Sequence, residues 1–114
     1  MGYDLNFWKQ QPGVKLDAQG TYERLSNGEE VEGVESLPID EIAGRVEQAF
    51  ATWSRLDPVT WDGPVGGFQL YMTPRLFRVD CFGMTGDDMN TFINIALEFG
   101  CPLYDPQTGV RFEP

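Results

Sequence analysis

Residues 68–83 read FQLYMTPRLFRVDCFG, and this stretch decides the fold. Two runs of alternating character, Phe68 to Thr73 and Leu76 to Phe82, flank Pro74 and Arg75. Phe68, Leu70 and Met72 share one face of the first run, and Phe77, Val79 and Cys81 share one face of the second. The expected result is a β-hairpin with a single buried face. Arg78 and Asp80 fall on the opposite face, at a spacing that permits an exposed ion pair worth about 0–1 kcal/mol.

Downstream, TGDDMNTFINIALEFG (85–100) predicts a helix. Thr85 followed three residues later by Asp88 approximates a capping box, and Gly100 suits the left-handed residue after the last turn. Its expected inner stripe is Met89, Phe92, Ile93, Ala96, Leu97 and Gly100. The closing CPLYDPQTGVRF predicts strands at 101–104 and 110–112 around a turn, in which Asp105, Pro106, Thr108 and Gly109 are turn formers.

Upstream, LDPVTWDGPVGG (56–67) reads as a loop with an edge-strand fragment around Val59 to Trp61. Before it, LPIDEIAGRVEQAFATW (37–53) places Ile39, Ile42, Ala43, Val46, Ala49, Phe50 and Trp53 at helical spacing. Pro38 opens this helix, and Asp40 and Glu41 complement its dipole. Gly44 lowers its propensity and suggests a close approach to the sheet. YDLNFW (3–8) alternates like a strand. Between it and the helix, residues 9–36 show no sustained period beyond a short helix around Thr21 to Leu25.

Strand, helix, strand, strand, helix, strand is the ferredoxin-like βαββαβ order. The expected fold is therefore α+β, a two-layer sandwich over a single domain, 1–114, with an acidic insertion after the first strand and a C-terminal hairpin.

Composition narrows function. Eighteen Asp and Glu against eight Lys and Arg give a formal charge of −10, which disfavours direct nucleic-acid binding and suits a basic protein partner. The absence of histidine removes the usual activated nucleophiles and the commonest zinc ligand. No run has the length of a membrane span, and the start lacks a signal-peptide pattern, so a cytoplasmic protein is expected. Cys81 and Cys101, in apolar surroundings, read as reduced core thiols. Asp80, Asp87 and Asp88 do not converge as a metal site, because helix-start carboxylates neutralise the dipole. Neither a metal nor a cofactor is expected. No spacing supplies a nucleophile with a base, so no enzyme activity is expected.

Among the tryptophans, Trp53 lies on the helical stripe, whereas Trp8 and Trp61 end strand-like pieces where exposure is possible. Trp61 reads equally as a binding anchor on a rigid loop and as a lid on the core's edge.

The two termini add a resemblance. MGYDLNFWK resembles the MSYDL-type opening of small bacterial proteins found beside polymorphic toxin genes, and FGCPLYDPQTGVRF resembles the closing motif of some of them. These are similar to immunity proteins of contact-dependent or Rhs-type toxin systems; residues 10–37 have no counterpart. The resemblance implies that the chain binds the C-terminal domain of a cognate toxin, a basic nuclease, and blocks its active site or substrate groove. The expected contact surface is Glu29, Glu30, Glu32 and Glu35 with Trp61 and Asp62, on the premise that the loops cluster at one end. The alternative is a small ligand-binding protein or an enzyme, with the sheet face and YDPQTG lining a pocket.

Overall fold

The chain runs β1 (Gly2–Phe7), α1 (Ala18–Ser26), α2 (Ile39–Ala49), β2 (Ser54–Asp57), β3 (Thr60–Asp62), β4 (Gly67–Thr73), β5 (Leu76–Phe82), α3 (Gly86–Glu98), β6 (Leu103–Asp105) and β7 (Val110–Arg111). This is a computed structural model, and it describes residues 2–112. Met1, which opens the MGYDLNFWK motif, lies outside the described residues, as do positions 113 and 114 of the expected domain. The strands form a seven-stranded sheet in the order β2-β3-β4-β5-β1-β6-β7, with neighbours antiparallel throughout. The architecture is α+β.

The central hairpin forms as its alternation requires. Thr73 pairs with Leu76, and the Thr73 hydroxyl accepts from the N–H groups of Arg75 (3.2 Å) and Leu76 (3.0 Å), closing the turn around Pro74. Phe68, Leu70, Phe77, Val79 and Cys81 point to one face and are buried with Leu5 and Phe7 of β1. Helices α2 and α3 cover that face. Phe50, just past α2, stacks on Phe92 of α3 at 4.9 Å and meets Phe68 of the sheet at 4.8 Å, joining both helices to the strands.

Several expectations need correction. Helix α2 ends at Ala49, because Phe50 turns inward as its cap, so Trp53 lies beyond the helix, half-buried, with its ring edge-on to Phe50. In α3 the buried residues are Phe92, Ile95 and Ala96, while Leu97 is 49% exposed. The helix is rotated so that Ile95 rather than Leu97 meets the sheet. A Cβ on Gly44 would meet nothing within 4 Å, so that glycine does not serve a close approach. The segment read as a loop with one strand fragment instead forms two paired strands, β2 and β3, on the edge of β4.

The two-layer expectation is also corrected over one end of the sheet. Trp8, Leu76 and Tyr104 have the opposite side-chain parity to Phe7, Phe77 and Leu103, so they project from the other face. There they form a second core with Leu25, Val31 and Val34, flanked by Leu16, Ala18 and Tyr22. Helix α1, started by Asp17 accepting from the Gly20 N–H at 2.8 Å, thus makes a partial third layer. The long connection is ordered because it must cover a tryptophan and a tyrosine.

At the far end of the hairpin the chain doubles back through Gly66. Its φ is +75°, and a Cβ at this position would fall far inside contact distance of the Phe82 carbonyl oxygen, which leaves room for glycine alone.

Candidate functional site

The acidic segment is built on the second core. Val31 and Val34 are buried, Gln11 N–H donates to the Gly33 carbonyl (2.8 Å), and Glu35 N–H donates to the Lys9 carbonyl (2.7 Å). Beside these anchors Glu29, Glu30 and Glu32 are exposed and Glu35 is half-buried. Glu29 lies 3.5 Å from Arg24 and Glu30 lies 3.3 Å from Arg75, both across solvent-exposed gaps. Such pairs are worth little and exchange readily for another cation. Asp40 and Glu41 stand on the other side of Pro74, lining a shallow groove with Leu37, Ile39 and Met72.

The structure does not bring Trp61 and Asp62 to this segment. Asp62 pairs with Gly67 at the start of β4, whereas Glu30 meets Arg75 just past its end. A strand of this length separates them by roughly 20 Å. The premise that the loops cluster at one end is therefore corrected. Trp61 is 3% exposed, stacked on Phe68 at 5.0 Å on one side and covered by the Arg55 guanidinium at 4.5 Å on the other. Its packing is that of a lid on the core, and only Asp62 of the two reaches solvent. Trp8, at 0% exposure, is buried as well.

A second polar region lies on the face of the central strands that α2 and α3 leave bare. Cross-strand register sets it out in two rows. Gln69, Asp80 and Asp4 form one row, and Tyr71, Arg78 and Asn6 form the next. Arg78 donates through Nε to Asp80 (2.8 Å) and through a terminal nitrogen to Asp4 (3.3 Å), so the expected Arg78–Asp80 pair is present and gains a third member. Burial, then a hydrogen bond with Asp80, raises the Asp4 pKa above the usual aspartate value, with Arg78 opposing. Burial alone would lower the Arg78 pKa, but the hydrogen bond and the charges of Asp80 and Asp4 outweigh it and raise it. A groove of about 320 Å³ runs over Ser26, Gln69, Leu70, Tyr71, Arg78 and Asp80. The alternation of Asp4 and Asn6 with Leu5 and Phe7 is the sequence signal for this region, but only strand register shows which polar residues meet.

The YDPQTG cluster is a structural corner. The Asp105 carboxylate accepts from the Gln107 N–H (2.9 Å) and the Tyr3 hydroxyl (3.2 Å), and its carbonyl accepts from the Gly109 N–H (2.8 Å). Gly109 supplies the required φ of +71°.

Among the described residues, no three His, Cys, Asp or Glu side chains are grouped to hold a metal ion. Asp87 and Asp88 start α3 on the helix-covered side of the sheet, away from Asp80 on the bare side. Cys81 and Cys101 are free and buried, and burial pushes their thiols up to about 12 and about 11. Neither is a nucleophile at neutral pH. No protein-family model matches the chain, and no curated protein or solved structure gives a significant match.

Proposed function

We propose that the chain is an immunity protein: it binds the C-terminal domain of a cognate bacterial toxin, a basic nuclease, in the cytoplasm and occludes its active site or substrate groove. The carrying observation is the anchored acidic segment. Buried Val31 and Val34 and the backbone bonds to Lys9 and Gln11 hold Glu29, Glu30 and Glu32 outward on a fixed frame. A segment whose backbone is already ordered loses less conformational entropy on meeting a basic groove, and the net charge of −10 steers the encounter. No chemistry by this chain is required.

The ferredoxin-like reading is supported by the four central strands, ordered β4-β5-β1-β6, with α2 leading from β1 towards β4 and α3 connecting β5 to β6. The β2–β3 hairpin, α1 and β7 are additions to that frame. Among the described residues no helix is long and apolar enough to cross a membrane. The alternative, a small ligand-binding protein or enzyme, draws its support from the groove over Arg78 and Asp80.

The test is co-expression of the toxin domain encoded beside this chain, scoring growth and complex formation. Protection from killing and co-elution are expected; equal killing with no complex removes the reading. Changing Glu29, Glu30 and Glu32 to Lys is expected to weaken the complex at least about tenfold and to flatten its salt dependence. Unchanged affinity moves the contact elsewhere on the surface.

A further inference from the structure

Beside the second core, the face of the central strands that α2 and α3 leave uncovered carries a cluster of charges. Asp4 and Asp80 face each other directly across β1 and β5, and the single cation between them is Arg78. Its 2.8 Å bond to Asp80 is good, while its 3.3 Å approach to Asp4 is loose. Both carboxylates are partly open to solvent, with side-chain exposures of 35% for Asp4 and 24% for Asp80. Among the described residues, the two carboxylates share one guanidinium.

The next position along the same face of β5 is Phe82, which is 51% exposed. Its cross-strand partners are Gly2 and Gly67, so neither directly opposed position sets a side chain against the ring. Its backbone is fixed by the close approach of Gly66. An aromatic platform therefore stands one alternation away from two carboxylates.

A third observation comes from Asn6, which lies opposite Arg78 on this face and is fully buried. Neither atom of its amide has a partner among the described residues. An unpaired buried amide is costly, and here it sits beside the one cation of the site.

We propose that this face takes an arginine side chain of the basic partner, with its guanidinium held by Asp4 and Asp80 and stacked on Phe82. The partner's identity rests on the inhibitor reading above; the recognition chemistry does not. A planar guanidinium suits two carboxylates side by side and an open ring, whereas an ammonium meets only the charge. An anion is repelled by the carboxylates, and an apolar group leaves them unpaired. As the incoming cation takes Asp4, Arg78 keeps Asp80 and turns its free nitrogens to the Asn6 carbonyl oxygen.

The experiment uses the full chain, isotopically labelled for NMR, and two short capped peptides that differ only in carrying arginine or lysine. The arginine peptide is expected to shift the amides of Asp4, Gln69, Asp80 and Phe82 and to bind at least about threefold more tightly than the lysine peptide. Phe82→Ala is expected to abolish this preference and Phe82→Tyr to keep it, with both variants melting close to the parent because the ring is half-exposed. Equal response to the two peptides, or no shift at these amides under millimolar peptide, overturns the proposal. Shifts confined to residues 29–35 also overturn it while leaving the inhibitor reading in place. Arginine capture here without protection from a toxin has the reverse meaning.

Discussion

Trp61 lies flat against Phe68, with ring centroids 5.0 Å apart and planes 13° apart, while Arg55 covers its other face. A tryptophan so enclosed acts on stability before it acts on any partner. Trp61→Ala is expected to cost about 3–5 kcal/mol, and Arg55→Ala, which removes the cation over the ring together with an exposed pair to Glu47 and a bond to the Pro58 carbonyl, about 1–2 kcal/mol. Urea unfolding of both variants checks this. A loss below about 1 kcal/mol for Trp61→Ala would show the ring to be peripheral.

Two glycines should respond in opposite directions to the same substitution. Gly44 sits inside α2 with open space where a Cβ would go, so Gly44→Ala is expected to stabilise by about 0.5–1 kcal/mol. Gly66→Ala must drive a methyl group into the Phe82 carbonyl oxygen at a φ of +75°, and a loss of about 3 kcal/mol or more is expected. Thermal melts of the two variants, compared with the parent, should move apart; a shift in the same direction would contradict the backbone geometry.

Asp4 gives a pH signature. Burial raises its folded-state pKa above the unfolded value, so its contribution to stability is fully present below the ordinary aspartate pKa and is lost as pH rises through the raised value. Asp4→Asn, which stays neutral, is therefore expected to raise the melting temperature at pH 7 and to leave it nearly unchanged near pH 3. A lower melting temperature at pH 7 would mean that the bond to Arg78 outweighs the burial of the charge.

The two thiols report on opening of the core. With burial pushing them to about 12 and about 11, Cys81 and Cys101 are expected to resist a disulfide-exchange reagent at pH 8 in the native protein and to react fully in denaturant. Fast labelling of either thiol under native conditions would place it near the surface.

The hairpin 68–82 and helix α3 are legible in the sequence because each repeats its own period over enough residues to be distinguished from the other. The acidic segment's inner anchors, Val31 and Val34, are too isolated to show a period, and their burial follows from the need to cover Trp8 and Tyr104. The β2–β3 hairpin is hidden by Pro58 at its turn and by the glycines and proline that follow at 63–67, since its strands are too short to alternate convincingly. Local spacing suggests more open positions for Trp8 and Trp61 than for Trp53, and the structure reverses that order. Each completes a layer contributed by distant parts of the chain, which local spacing does not reveal. The meeting of Asp4 with Asp80 is likewise a matter of register between strands far apart in sequence. Only the Arg78–Asp80 half of that cluster is readable, because it lies within one strand.

The sheet ends on both sides in strands poor at recruiting another. On one side β2 is short, breaks register between Arg55 and Asp57, carries both of those charges and is followed by Pro58; on the other β7 is Val110–Arg111 alone. Leu56, Val59 and Val110 are exposed at these margins, yet among the described residues neither border strand offers a second copy of the chain a long, regular run of backbone to extend. On a highly acidic molecule such borders disfavour polymerisation through the outermost strands and leave recognition there chiefly to side chains.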